Sequence, residues 1–103
     1  LAVRVAVEMG ADIVKTYYCD EKFEKVVEAA AGIPIVIAGG PKMDSVLDVL
    51  KIAENATRAG ARGVDMGRNV WQHERPVEML LALKDIVNDG VSAEEAYSKH
   101  FGR

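Results

Sequence analysis

Cys19 is the only cysteine in this 103-residue sequence. No internal disulfide can form, and a lone thiol fits a reducing compartment, so the cytoplasm is the expected location. No apolar run approaches the roughly 20 residues needed to span a bilayer, and no signal peptide is visible. Positive charge is not in excess either. The formal net charge of −3 argues against a broad nucleic-acid or anionic-membrane surface. The two histidines, His73 and His100, do not stand at metal-ligand spacing with Cys19 or with any carboxylate cluster. There is no nucleotide P-loop and no Rossmann fingerprint. An initiator methionine is also missing. The chain opens Leu1-Ala2-Val3-Arg4, already inside a helical pattern, which leads us to expect a segment whose upstream part lies elsewhere.

What is there is a globular composition. Half the residues are hydrophobic and 28% are charged, and the length allows at most one ordinary domain. No linker or low-complexity stretch divides residues 1–103.

Val3, Ala6 and Val7 share one face at helical spacing, and Gly10 ends that helix. Ala11 to Thr16 reads as a short buried strand. Asp20 suits the cap of a second helix, to about Ala31, with Phe23, Val26, Val27 and Ala30 inward. Ile33 to Ala38 is the clearest strand, apolar on both faces. Asp44 or Ser45 caps a third helix whose stripe is Val46, Val49, Leu50, Ala53 and Ala56, closed by Gly60. Gly63 to Met66 is a third strand. A short turn of helix is expected over Val70 to His73, and Trp71 reads as packing. Pro76 suits the first turn of another helix carrying Val77, Leu80, Leu81, Lys84 and Val87. Ser92-Ala93-Glu94-Glu95 is a capping box for a last helix.

The order α-β-α-β-α-β-α-α predicts a parallel sheet with right-handed crossovers. Met9-Gly10-Ala11-Asp12-Ile13-Val14 resembles Ala59-Gly60-Ala61-Arg62-Gly63-Val64. The repeat spans two βα pairs, as duplication within a barrel produces. Three parallel strands alone leave two apolar edges that must be paired or covered. This is a second, physical reason to expect further strands.

Lys15 stands at the C-terminal end of its strand, where (β/α) barrels place their active sites. A lysine held among apolar groups has its charged form disfavoured, and the neutral amine is a nucleophile that forms Schiff bases with carbonyls. The competing reading is a lysine that bends its head into water. Tyr17 and Tyr18 follow it, either to hydrogen-bond a substrate or to pack with a wet hydroxyl. Gly39-Gly40 permits close approach of backbone N–H groups to a phosphate, or is an ordinary turn. Lys42 adds charge there, as exposed loop lysines commonly do. Gly67-Arg68-Asn69 precedes the short helix, whose free N–H groups favour an anion, and Arg68 offers a phosphate-matched fork or a surface ion pair. Asp65 faces the barrel interior or an adjoining helix. Glu54 and Arg58 form an i,i+4 pair with no further role. Two glycine-bearing loops after consecutive strands, then a short helix, match the phosphate site of the (β/α)8 barrel.

Three segments taken together, Gly10 to Tyr18, Pro34 to Lys42 and Gly63 to Gln72, resemble the archaeal-type class I fructose-bisphosphate aldolase family. That family includes autoinducer-2-processing aldolase/thiolases and aminodideoxyheptulosonate synthases. The resemblance runs over essentially the whole chain. It implies an α/β fold, the C-terminal part of a (β/α)8 TIM barrel with these strands as the sixth to eighth. It implies that Lys15 forms the Schiff base and that Gly39, Gly40, Gly67 and Arg68 hold a substrate phosphate. Tyr17, Lys42 and Asp65 are the further pocket-lining candidates from the reading of the residues themselves. No metal and no organic cofactor is implied. Family members assemble as homo-oligomers, often decamers of two pentameric rings. Tyr18-Cys19-Asp20 stands where sugar-bisphosphate aldolases often carry Thr-Gly-Asp. With Val64-Asp65-Met66 this leans toward the autoinducer-2-processing branch. The family's acid/base residues lie on the first five strands, so the segment alone is expected to turn over little.

The leading expectation is a class I aldolase-type lyase acting on a phosphorylated ketose such as fructose 1,6-bisphosphate. A second is a coenzyme A-dependent thiolase acting on a phosphorylated diketone derived from autoinducer-2. A third, of another class, is a non-catalytic phosphate-binding or structural half-barrel.

Overall fold

The computed structural model describes residues 1–19, 22–38 and 45–102. In chain order the elements are α1 (Ala2–Glu8), β1 (Val14–Thr16), α2 (Phe23–Ala29), β2 (Ile35–Ala38), α3 (Val46–Arg58), β3 (Gly63–Asp65), α4 (Gly67–Trp71), α5 (Pro76–Asp89) and α6 (Ala93–His100). The strands form one parallel sheet in the order β1-β2-β3, each joined to the next through a helix. Alternation of strand and helix therefore gives the βαβ arrangement that the sequence predicts.

Local chemistry sets several boundaries. Ser45 caps α3, its Oγ accepting from the Asp48 N–H at 3.3 Å. Ser92 caps α6 in the same way, from Glu95 at 3.1 Å. Of the two candidate caps for α3, Asp44 lies outside the described residues, as does Asp20, the expected cap of α2. Gly60 ends the α3 segment at φ +114°, and a Cβ there would sit 2.9 Å from Cγ1 of Val27. The glycine thus serves both the backbone turn and the approach of the following loop to α2.

Among the described residues, only one face of the sheet is covered. Val14, Ile35 and Ile37 are buried beneath the helices, together with Phe23, Val49, Leu50, Ala53 and Ala56. The other face carries Lys15, Val36, Ala38, Gly63 and Asp65, and none of these is fully buried. Ile13, expected to be buried in the strand, precedes β1 and is exposed. The expectation that the strands are buried on both faces therefore fails within this chain. No described element packs over the second face.

Helices α3, α5 and α6 pack together beside the sheet. The side of α5 that enters this cluster is Met79, Ala82, Leu83 and Ile86. The stripe singled out from the sequence points outward instead, leaving Val77, Leu80 and Leu81 exposed. Helix α5 is apolar on two sides, and periodicity alone does not say which side meets the core.

Contacts at both ends fix α6. Glu54 of α3 accepts the Ala93 N–H at 3.1 Å with one oxygen and holds Arg58 at 2.6 Å with the other. Its role is therefore larger than the helix-surface pair the sequence suggests. At the other end, the Arg75 guanidinium donates to the His100 carbonyl at 3.3 Å and lies 5.3 Å from the Phe101 ring centroid. His73 meets the same ring edge-on. His100 Nε2 lies 2.7 Å from Asp85 Oδ2, and Lys99 lies 3.3 Å from the same oxygen. The hydrogen bond with His100, helped by Lys99, holds the Asp85 carboxyl below the usual carboxylate range. Both histidines thus have structural partners.

Candidate active site

The parallel register brings two distant residues together. Lys15 lies opposite Val36, which lies opposite Gly63, and Asp65 lies opposite Ala38. Lys15 and Asp65 therefore share the open face, separated by β2. Lys15 is the middle residue of β1, and Asp65 is the last residue of β3. The reach of the lysine side chain spans the gap, placing Nζ 3.2 Å from Asp65 Oδ2. This settles the orientation of Asp65, which faces the lysine rather than an adjoining helix.

The surroundings differ from the desolvated pocket expected of Lys15. Its side chain is 57% exposed and that of Asp65 is 58% exposed. The neighbour is a carboxylate rather than a set of apolar groups. An ion pair this open contributes only about 0–1 kcal/mol to stability. Its significance is positional: it holds the amine over the C-terminal half of the sheet.

The remaining candidates fall into three groups. Gly67 and Arg68 are the first two residues of α4, which begins directly after Met66. The expected short helix therefore starts earlier than Val70 and takes the Gly-Arg-Asn motif into its first turn. The N–H groups of that turn have no partner within the helix. A Cβ on Gly67 would lie 3.0 Å from the indole Nε1 of Trp71, so the glycine makes room for that ring. Trp71 is 65% exposed, so the packing role expected of it is a small one. Among the described residues the Arg68 guanidinium forms no ion pair.

Tyr17 follows β1 and is 71% exposed, while Tyr18 is half-buried with its ring against Phe23, 5.2 Å between centroids. The pair is thus split between one solvent-facing phenol and one packed ring. Gly39, Gly40 and Lys42 lie outside the described residues. One residue carried more weight than its sequence signal suggested. Asn69, the third member of the Gly-Arg-Asn motif, is 2% exposed and anchors α4 in the interior. Its polar side chain has the same exposed-loop signature as Arg68, so only the placement of α4 separates them. Among the described residues no three His, Cys, Asp or Glu side chains cluster as metal ligands, and no helix is long and apolar enough to cross a membrane.

An amine at the mouth of a strand, a carboxylate within hydrogen-bond reach of it, and a helix N-terminus directly after the carboxylate's strand can together bind and attack an anionic carbonyl compound. The chain as a whole is similar to known proteins. Residues 1–73 match the profile of the DeoC/LacD family of aldolases. The chain is 50% identical over 97 residues to an uncharacterised aldolase of Pasteurella multocida, covering 94% of this chain and 33% of that protein. It is also 50% identical to a 3-hydroxy-5-phosphonooxypentane-2,4-dione thiolase of an Enterobacter species, covering 94% of this chain and 32% of the relative. The chain therefore spans about a third of the length of these relatives. Its backbone is similar to a crystal structure of an archaeal fructose 1,6-bisphosphate aldolase, with TM-score 0.80 and 39% identity over 84% of this chain and 35% of that one. A further archaeal fructose-1,6-bisphosphate aldolase, solved with its catalytic lysine bound to the carbinolamine intermediate, gives similar coverage. The expected fold, part of a (β/α)8 barrel, is borne out. The open sheet face corresponds to the interior of that barrel, which explains why it lacks a covering layer here.

Proposed function

We infer that this chain, which belongs to the DeoC/LacD family of aldolases, carries the imine-forming lysine of a class I aldolase-type enzyme, and that this lysine is Lys15. The observation that carries the reading is the position of Lys15 on the interior face, with its amine held by Asp65 at 3.2 Å. The neutral amine attacks the carbonyl of a phosphorylated ketose. The resulting iminium then acts as the electron sink for making or breaking the adjacent C–C bond. The phosphate sits against the first turn of α4, with N–H groups of Gly67 and Arg68 and the Arg68 guanidinium, and against Gly39 and Gly40 from the preceding loop. Tyr17 and Lys42 are proposed as further pocket residues, Lys42 from the sequence alone. Binding the remote phosphate orients the carbonyl at the amine. No metal is required by this chemistry.

The reading concerns the whole barrel, of which residues 1–103 form one partial domain without the earlier strands. The acid/base groups for the C–C bond step come from those strands, so these residues alone are expected to turn over little or nothing. The cytoplasm is the proposed location, and a homo-oligomer, on the family pattern a decamer, is the proposed assembly. The test is borohydride inactivation of the complete barrel-length protein in the presence of dihydroxyacetone phosphate. Irreversible loss of lyase activity that requires the ketone supports the reading, and a Lys15→Arg protein should be inactive from the start. An active Lys15→Arg protein would overturn it.

A second reading is favoured by the close thiolase relatives. In that case coenzyme A accepts an acyl group from a phosphorylated diketone after the lysine has engaged it. Products analysed with and without coenzyme A separate the two, because a plain retro-aldol reaction proceeds unchanged when coenzyme A is withheld.

A further inference from the structure

We propose that Asp65 is the proton carrier for imine formation at Lys15, taking a proton from the ammonium and returning it to the departing hydroxyl. The inference deepens the Schiff-base reading above and rests on it.

Geometry provides the first support. The two residues come from non-adjacent strands, yet the sheet register holds Oδ2 at 3.2 Å from Nζ. The residues between them on this face are Val36, Ala38 and Gly63, none of which titrates. Within the three strands, Asp65 is thus the one titratable group that shares the face with Lys15. Energetics provides the second support. Within these 103 residues both side chains are more than half exposed, so the pair adds little to the stability of this segment, and its place beside the reactive amine is what remains to be explained.

The chemistry then balances without any outside reagent. The Asp65 carboxylate accepts one proton from the Lys15 ammonium, leaving a neutral amine and a carboxylic acid. The amine lone pair forms the C–N bond to the ketone carbon, and the carbonyl oxygen, collecting the amine's surplus proton, becomes the hydroxyl of a neutral carbinolamine. The Asp65 acid then protonates that hydroxyl, the C–O bond breaks, water leaves, and the nitrogen lone pair closes the iminium. Ammonium plus ketone has become iminium plus water, and Asp65 is a carboxylate again. In that form it is also the counter-charge of the iminium. Proton transfer by a positioned side chain contributes about 100-fold or more to such a step.

The experiment follows imine formation rather than overall turnover. The complete barrel-length protein is mixed with dihydroxyacetone phosphate and cyanoborohydride, and the rate of adduct growth on Lys15 is read by mass spectrometry across pH. The Asp65→Asn protein should form the adduct about 100-fold more slowly, with a changed pH profile. The Asp65→Ala protein should be slow as well but should recover as formate is added, since a small carboxylic acid fits the vacated space and carries the same proton. Asparagine is nearly isosteric with aspartate, and a thermal melt of each variant beside the parent checks that the barrel still folds. An Asp65→Asn protein that matches the parent rate and pH profile overturns the proposal and leaves the Lys15 reading intact. So does an Asp65→Ala protein whose slowness is indifferent to formate, because that is the signature of a positioning contact alone. Absence of any Lys15 adduct in the parent protein overturns both readings together.

Discussion

Replacing Glu54 with alanine should destabilise the fold by about 2 kcal/mol, and the cost should come from the α6 amide rather than from Arg58. Glu54 is 14% exposed and divides its oxygens between the Ala93 N–H and the Arg58 guanidinium. Ala93 is fully buried. Once the carboxylate is gone, water has poor access to its N–H, and an unsatisfied buried donor costs about 1–3 kcal/mol. The favourable interaction of a carboxylate with a helix N-terminus is lost as well, at about 0.3–1 kcal/mol. Arg58, by contrast, is 69% exposed. Removing it with Arg58→Ala should cost less than about 0.5 kcal/mol, the range of exposed i,i+4 pairs. Glu54→Gln keeps an acceptor oxygen and should fall between the two. Urea denaturation of the four proteins gives the differences directly, and amide exchange at Ala93 should accelerate in Glu54→Ala alone. If Arg58→Ala costs as much as Glu54→Ala, the ion pair rather than the amide anchors α6, and the reasoning fails.

Other consequences are as specific. Gly60→Ala should destabilise by about 1–3 kcal/mol, because φ +114° is strained for a residue with a Cβ and that atom meets Val27 at 2.9 Å. Adding Val27→Ala should recover none of the backbone strain, so the double variant should stay less stable than Val27→Ala alone in thermal melts. The depressed carboxyl of Asp85 sets a pH dependence of definite sign. Its folded value lies below its unfolded one, so its contribution is complete above the ordinary value of 3.8 and is lost as pH falls through the folded value. Asp85→Asn should therefore flatten the acid limb of a plot of Tm against pH while changing its slope little near neutrality. An unchanged acid limb would remove Asp85 from this account.

The sequence was most informative where a single local interaction decides the structure. Ser45 and Ser92 cap helices because a hydroxyl beside an N-terminal N–H is a short-range event, and Gly10 and Gly60 end helices because positive φ belongs to glycine. The alternation of strands and helices was readable for the same reason. Choices between two apolar sides were not. Helix α5 buries Met79 and Ile86 and exposes Leu80 and Leu81, and only the position of α3 and α6 decides between them. Ile13 and Val36 look like core residues, but Ile13 precedes β1 and is exposed, and Val36 lies on the sheet face that this chain leaves open. Within the candidate site, Lys15 and the Gly-Arg-Asn motif stood out through strand position and motif. The contact between Lys15 and Asp65 did not, because it depends on the register of two strand pairings carried across β2. The start of α4 was also misplaced, since Gly67 at its first position gives no capping signal.

The central claim, that Lys15 is the imine-forming residue, is tested most directly by mapping the borohydride-trapped adduct in the complete barrel-length protein. Trypsin cleaves the untreated chain after Arg4 and Lys15, and the next basic residue is Lys22. An alkylated Lys15 resists cleavage, so the account predicts a single peptide running from Val5 to Lys22 that carries the reduced ketone phosphate on Lys15. Normal cleavage after Lys15, with the adduct on a different lysine or on none, would contradict it.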